Sequence, residues 1–438
     1  PVTKYNFQVN RASEIPETVK TAFYIASTGR PGPVLIDIPK DAQAEISEVE
    51  FSEKISVRGY KPNRDPHPLQ IKKATTLLAQ AEKPLILAGG GVTLSNAFPE
   101  LLELAELLLA PVATSLMGKG CFPENHPLSL GMVGMHGTKA ANKLILESDV
   151  VLAIGLRFSD RTTGRTDDFC SEAKIIHIDV DPAEIGKNVK IYTPIVADAK
   201  KSLKMIYQLL VQQLEKKEGS PWLEKVKKLK EQLRDEVNCG ENCLKPPQIL
   251  MELRKILPGD AIITTEVGQN QMWAALHFVA YKPRTFISSG GLGTMGFGFP
   301  AAIGAKVACP EKPVLDIAGD GSFIMTEQEL ACSVTERIPV TVVILNNSVL
   351  GMVAQWQRLF YNRRYSAVKL GGVPDFVKLA EAYGAQGFRV GSLNEFSEAV
   401  KRAMKSDVTT VIDVPISPEE NVFPMVPAGA GLKDTMWE

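Results

Sequence analysis

The stretch Val314-Leu315-Asp316-Ile317-Ala318-Gly319-Asp320-Gly321-Ser322 is followed, one helix later, by Val340-Thr341-Val342-Val343-Ile344-Leu345-Asn346-Asn347. Both begin as short, nearly unbroken apolar and β-branched runs, the pattern of strands buried on both faces of a parallel sheet. The segment between them has the spacing of a helix. Thr326 and Glu329 stand three apart, as in a capping box, and Leu330, Val334 and Ile338 follow at four-residue steps. Strand, helix and strand of this kind predict a doubly wound sheet, in which ligands lie beyond the carboxyl ends of the strands. Asp320 and Asn347 occupy two such ends, one crossover apart, and are expected to face each other across a gap.

Working outward, the same alternation appears twice. Strands are expected at Pro84 to Ala88, Val150 to Gly155 and Lys174 to Ile178, and again at Ala261 to Thr265, Val314 to Ala318, Val340 to Leu345 and Thr410 to Val414. Residues 46–68 are polar and carry Pro62, Pro66 and Pro68, which reads as a linker. Residues 206–245 include a Lys- and Glu-rich stretch with apolar residues at helical spacing, expected to form solvent-facing helices of a second linker. The expected organisation is therefore a short α/β segment (1–45), the linker 46–68, an α/β domain (69–205), the helical linker 206–245, and a second α/β domain with a C-terminal tail (246–438). In the first segment one helix, about Ile15 to Thr28, precedes a strand at Val34 to Ile38. That is too little for a core, so it either docks on the rest or is the end of a domain that begins earlier.

Composition is that of a globular protein, 45% hydrophobic and 23% charged over 438 residues. A net charge of −1 gives no electrostatic reason to expect nucleic acid or an anionic membrane. No apolar run approaches the roughly 18–20 residues that span a bilayer; Leu101 to Val112 is interrupted by Glu103 and Glu106 and reads as a buried helix. Six scattered cysteines suit a reducing compartment, and the cytosol is the expected location. Cys239 and Cys243 have the spacing of adjacent helical turns, read as reduced thiols with metal binding as the alternative.

The residue types at the two strand ends fit a metal–diphosphate site. Mg²⁺ takes hard oxygen donors and shares them with phosphates; Asp320 offers a carboxylate and Asn347 an amide oxygen. Gly319 and Gly321 let the backbone come close and turn its amides toward a diphosphate. The alternative is a plain turn in which Asp and Asn are favoured residues. Gly-Asp-Gly at one strand end with Asn-Asn at the next resembles the thiamine-diphosphate enzymes, in which the Asp, the second Asn and a backbone carbonyl two residues later hold the metal. The resemblance implies Asp320, Asn347 and the carbonyl of Val349 for that role.

Within that family the chain resembles, along essentially its whole length, the large catalytic subunits of acetolactate (acetohydroxyacid) synthases. Val267-Gly268-Gln269-Asn270-Gln271-Met272-Trp273 is similar to their diphosphate-binding loop, with Asn270 where a His is usual. Ser289-Gly290-Gly291-Leu292-Gly293-Thr294-Met295-Gly296 resembles the next loop, in which the residue matching Met295 grips the aminopyrimidine ring through its backbone, with Gly293 beside it. Ser322 follows the Gly-Asp-Gly, and Met325 matches the apolar wedge that holds the cofactor bent; core filler is its alternative. Gly351 to Gln357 resembles the segment distinctive of these synthases. It implies that Met352 and Trp356 face the substrate and that Trp356 prefers 2-oxobutyrate to pyruvate as second substrate; a core Trp is the alternative.

The middle domain resembles the Rossmann-like FAD-binding domain of the biosynthetic enzymes. The segments that carry this are Gly89-Gly90-Gly91, Gly134-Met135-His136-Gly137, Gly155-Leu156-Arg157-Phe158-Ser159-Asp160-Arg161 and His177-Ile178-Asp179-Val180-Asp181. It implies FAD contacts from the three glycines, Met135, His136, Gly155, Arg157, Arg161, Asp179, Val180 and Asp198. Ser159 stands where an Asp is usual. Arg161 is further implied to pair with the carboxylate of the incoming 2-oxo acid, a surface ion pair being its alternative. FAD would be structural, because the net reaction involves no oxidation.

Residues 1–45 resemble the end of the family's pyrimidine-binding domain. The catalytic glutamate of that domain has no match in this chain, and Glu266 belongs to the diphosphate side. The sequence is thus expected to be a truncated form, inactive alone. The activity implied is decarboxylation of pyruvate and transfer of the two-carbon unit to a second 2-oxo acid, by a homodimer or homotetramer with a small regulatory subunit as a further partner. The alternatives are a related thiamine-diphosphate enzyme, of glyoxylate carboligase or pyruvate oxidase type, and a non-catalytic nucleotide-binding protein.

Overall fold

In the computed structural model, which describes residues 2–49, 51, 55–62, 64–215, 218–233, 244–371 and 374–437, fourteen strands fall into three parallel sheets. Cys239 and Cys243 lie outside the described residues. β1 (Tyr5–Gln8) pairs with β2 (Val34–Asp37) around the helix Ile15–Ser27. β1 has no strand-like alternation in sequence; its residues are mostly exposed and β2 alone gives it a partner. This small unit docks on the middle domain. Arg30 pairs with Asp181 at 3.3 Å and with the buried Glu184 at 2.7 Å, and the Lys4 ammonium donates to Ile25 O at 2.6 Å and to Tyr60 Oη at 2.9 Å.

The middle sheet comprises β3 (Pro84–Ala88), β4 (Val112–Thr114), β5 (Ser129–Met132), β6 (Val150–Ile154), β7 (Lys174–Asp179) and β8 (Thr193–Val196), in the order β5-β4-β3-β6-β7-β8. This is the doubly wound order of dinucleotide-binding sheets, with its reversal between β3 and β6. Side chains alternate between two cores. Ile86, Ala88 and Leu152 face one; Leu85, Leu87 and Val151 face the other. The short strands β4, β5 and β8 give too little periodicity to be read from sequence.

The third sheet comprises β9 (Ile262–Thr265), β10 (Phe286–Ser288), β11 (Val314–Gly319), β12 (Thr341–Asn346), β13 (Gln386–Arg389) and β14 (Thr410–Pro415), in the order β10-β9-β11-β12-β14-β13. β11 and β12 are buried except at their last residues, as their composition requires. Its reversal lies between β9 and β11. The expected architecture of two doubly wound parallel-sheet domains beside a smaller α/β unit is what forms.

Two local expectations give way. Thr326 does not cap a helix through its hydroxyl, which donates to Gly296 O at 3.1 Å and ties the following turn to the neighbouring loop. The region expected to carry solvent-facing helices contributes Pro221–Gln232, whose Trp222, Leu223, Val226 and Leu229 are buried. Charge density hid this face because the other side of the helix carries the lysines and glutamates. Ser220 caps it by accepting from Leu223 N at 3.0 Å, and Trp222 Nε1 donates to Pro84 O at 3.0 Å, at the start of β3.

After β14 the chain returns to the middle domain. Val426 N donates to Met135 O at 2.8 Å, and Val426 and Leu432 enter the core that holds Leu85 and Leu87. No helix among the described residues is long and apolar enough to cross a membrane. Trp222→Ala removes both the buried indole and its hydrogen bond, so it is expected to destabilise the middle domain by about 3–5 kcal/mol, read as a lowered midpoint in chemical denaturation.

Candidate functional site

The carboxyl ends of β9, β11 and β12 enclose a cavity of about 130 Å³. Its walls include Val267, Gly268, Gln269, Asn270, Met295, Gly319, Asp320, Gly321, Ser322, Asn347, Val349 and Met352. These residues meet at the reversal point of the sheet, where a ligand is expected.

Register brings the central pair together. Gly319 pairs with Leu345, so Asp320 and Asn347 leave adjacent strands within two residues of the same level. Asp320 opens the short helix Asp320–Phe323 and is 2% exposed. Its Oδ2 is buried with no hydrogen-bond partner in the structure. Burial raises its carboxyl to about 6, against the pull of the amides of Asp320, Gly321, Ser348 and Asn347. A buried carboxylate oxygen without a partner is a seat for a cation or a proton donor. Asn347 accepts from Val349 N at 3.2 Å through Oδ1 and donates to Gln269 Oε1 at 3.1 Å through Nδ2. Ser348 between them takes the left-handed conformation, φ 57°, which folds the chain back on itself.

The residues after β9 do more holding than the sequence shows. Gln269 Nε2 donates to Gln355 Oε1 and to Glu420 O, both at 2.9 Å. Gln355, fully buried on the helix Gly351–Phe360, donates in turn to Val422 O at 3.2 Å. A Cβ at Gly351 would lie 2.8 Å from Gln269 Cδ, so only glycine admits this bond. Sequence reasoning missed Gln355; a buried glutamine on an apolar helix face has no periodic signature. Asn270 Nδ2 donates to Ile317 O at 2.9 Å, fastening the loop to β11. Gly268, at φ 137°, caps the helix Gln269–His277, whose first amides point at the cavity end. Ser322 Oγ donates to Gly319 O at 3.3 Å, and Gly293 takes φ 65° in the loop that carries Met295.

Met325 is not core filler. It is 51% exposed, beside Gly296, and is not part of the cavity wall. Trp356 is not core either. It is half-buried, its ring 5.6 Å from Phe360, and it lines an open pocket of about 660 Å³ with Met352, Val353, Gln357, Tyr361 and Arg364. Met352 and Val353 border both cavities, so the pocket adjoins the carboxylate–amide pair.

In the middle domain, Gly89 to Gly91 and Gly155 meet at the reversal between β3 and β6. Their freedom serves the backbone: a Cβ on Gly91 would lie 2.5 Å from Gly155 Cα, and Gly91 N donates to Gly155 O at 3.0 Å. Gly90, with Met117 beside it, is the one of the three clear of Gly155. His136 is buried, Nδ1 donating to Pro424 O at 3.0 Å, and burial lowers it to about 4, so it is neutral. Met135 lies beside it under the tail. Arg157 is exposed. Arg161, 66% exposed, pairs with Asp160 at 3.4 Å and approaches Met135 Sδ. Asp179 is buried and raised to about 6 by burial, with Val180 beyond it in a surface hollow against residues 29–32. Asp198 caps the helix Ala199–Val211 by accepting from Lys201 N at 3.0 Å.

Comparison with known proteins agrees with this geometry. Residues 266–414 match the profile of the thiamine pyrophosphate enzyme C-terminal TPP binding domain, and residues 71–206 that of the thiamine pyrophosphate enzyme central domain. The chain is 53% identical to the probable acetolactate synthase large subunit of Methanocaldococcus jannaschii, over 99% of this chain and 74% of that one. It is 44% identical to the acetolactate synthase large subunit of Buchnera aphidicola and 40% identical to the isozyme 3 large subunit of Escherichia coli, over 100% of this chain and 77% of each relative. It therefore spans about three quarters of the length of these relatives. With the Asp320–Asn347 pair seated at the sheet reversal and identity running the length of both domains, the chain belongs to the thiamine-pyrophosphate-dependent family of acetolactate synthase large subunits.

Proposed function

We propose that this chain forms the thiamine-diphosphate side of an acetolactate synthase, which decarboxylates pyruvate and transfers the two-carbon unit to pyruvate or 2-oxobutyrate. The single observation that carries the reading is the buried, unpartnered Asp320 Oδ2 facing the Asn347–Val349 turn inside the cavity. Asp320, Asn347 and the Val349 carbonyl would hold Mg²⁺, and the helix N-terminus at Gly268 would face the diphosphate. The donor set is all oxygen, as this hard cation requires. Thiamine diphosphate, when bound, supplies the carbon nucleophile and the electron sink; the protein supplies position and a dry pocket.

Several residues divide the remaining work. Gln269 turns the amide of Asn347 by accepting from its Nδ2, which leaves the amide oxygen on the cavity side. Met295 reaches into the cavity from the Ser289–Gly296 loop, where its backbone would meet the aminopyrimidine ring. Met325, exposed beside that loop, would be the apolar side chain that packs on the cofactor when it is bound. Met352 and Trp356 form an apolar wall for the second 2-oxo acid. An extra methyl on that substrate is worth about 1–3 kcal/mol against such a surface.

FAD is proposed for the crevice between β3 and β6. The sheet order and the exposed Arg157 support it, with Met135, His136, Arg161, Asp179, Val180 and Asp198 as further contacts by resemblance. The relatives' designation as large subunits supports a small regulatory partner, and a homodimer or homotetramer is the proposed assembly.

The full-length protein, supplied with pyruvate, Mg²⁺, thiamine diphosphate and FAD, is expected to release acetolactate; unchanged pyruvate would refute the reading. Asp320→Asn keeps the shape but removes the charge, and should weaken Mg²⁺ activation by at least the roughly 10–100-fold typical of a disturbed metal site. With both second substrates present, Trp356→Ala is expected to lower the acetohydroxybutyrate-to-acetolactate product ratio by about 10-fold or more. An unchanged ratio would remove Trp356 from the specificity pocket.

A further inference from the structure

Two carboxylic acids lie beneath the cavity, and no described basic side chain pairs with either. Asp316 sits in β11 on the face that carries Val314 and Ala318, fully buried. Glu266 follows β9 and is also fully buried. Its Oε2 accepts from Gly296 N at 2.7 Å and its Oε1 from Phe299 N at 3.1 Å. The amides of Phe297 and Gly298 face it as well. One carboxylate therefore spans the turn that joins the Met295 loop to the helix Gly298–Ala308.

Asp316 is close below. Its Oδ1 accepts from the Thr264 hydroxyl at 3.1 Å, while Oδ2 is buried without a partner. A Cβ at Gly298 would overlap Asp316 Oδ1 and would come within 2.5 Å of Glu266 N. Gly298 thus lies against both the Asp316 carboxylate and the backbone of Glu266. The groups that face them from β9, β11 and the Gly298–Ala308 helix are backbone amides, the Thr264 hydroxyl and each other.

We propose that Glu266 is a positioning residue that fixes the turn behind Met295, with Asp316 as its partner acid underneath. The inference rests on the reading that the Met295 loop grips thiamine diphosphate. Two negative charges at this depth repel strongly, so the pair carries one proton. The four amides stabilise the anion on Glu266, and the proton resides on Asp316. Burial, followed by the charge of Glu266, holds the Asp316 carboxyl well above the ordinary carboxylate range; burial raises Glu266 too, against the pull of its amides. Groups raised in the folded state contribute stability that is fully present below the ordinary carboxylate range and is lost as pH climbs through the folded value. Alkali should therefore charge both acids and loosen the turn.

The test titrates thiamine diphosphate with Mg²⁺ into the full-length protein, followed by the fluorescence of Trp273 in the cavity wall. Melting of the cofactor-free protein runs in parallel, both across about pH 6–10. Wild type is expected to lose cofactor affinity and melting temperature as pH rises. Glu266→Gln offers one acceptor to two N–H donors and should weaken cofactor binding by about tenfold at neutral pH. Asp316→Asn cannot ionise and should flatten the alkaline fall in both readouts. Wild-type binding by Glu266→Gln, or an unchanged alkaline fall in Asp316→Asn, overturns the proposal. Should Glu266→Gln fail to fold, the Asp316→Asn slope decides. A wild type that binds no cofactor would instead refute the reading of the site, and the melting slopes would still judge the acid pair.

Discussion

In-register pairing of β11 with β12 is the constraint on which the candidate site depends. Gly319 opposite Leu345 sets Asp320 and the Asn346–Asn347 step at one level of the sheet. A slip of β11 by one residue would exchange its two faces, sending Leu315 and Ile317 toward the core now filled by Val314 and Ala318. The burial of both faces therefore fixes the register, and the register fixes the distance between the two polar ends. The reversal of strand order at β9 and β11 then opens the crevice above them. Packing energy elsewhere in the domain is in this sense what holds an uncompensated carboxylate in place.

Much of this was legible in the sequence because it lies on long, uninterrupted apolar strands. Val314 to Ala318 and Val340 to Leu345 could hardly be anything but central strands, and their polar ends could be named at once. The short strands β4, β10 and β13 were not legible, since three or four residues carry no usable period. Trp222 was hidden by the charges on the opposite side of its helix. The glycines show a limit of sequence reading. Gly89 and Gly91 follow a strand as nucleotide-binding glycines do, and each also lets the backbone at Gly155 come close. Spacing can report that a backbone approaches closely; it cannot report whether the visitor is a ligand or another strand end.

The polar residues of the site are arranged as a relay of amides. Asn347 leans on Gln269, Gln269 on Gln355 and Glu420 O, and Gln355 on Val422 O. Each side-chain amide both donates and accepts, so a single chain of bonds satisfies groups that would be costly to bury alone. It also joins three elements distant in sequence: the loop after β9, the helix after β12, and the tail after β14. The same tail then seats Val426 and Leu432 in the middle domain and receives His136 at Pro424 O. The two crevices, one per doubly wound sheet, are thus bracketed by one segment.

That tail has a consequence for the order of events during synthesis. The middle domain leaves the ribosome well before the residues that complete one of its cores. Until Val426 and Leu432 are made, the core that holds Leu85, Leu87, Ala141 and Phe169 lacks two of its apolar side chains. Domains of long chains generally fold as units, the first-made first; this one reaches its final packing only when translation of the other is complete. The nascent chain consequently carries an unfinished hydrophobic core throughout the making of its second domain.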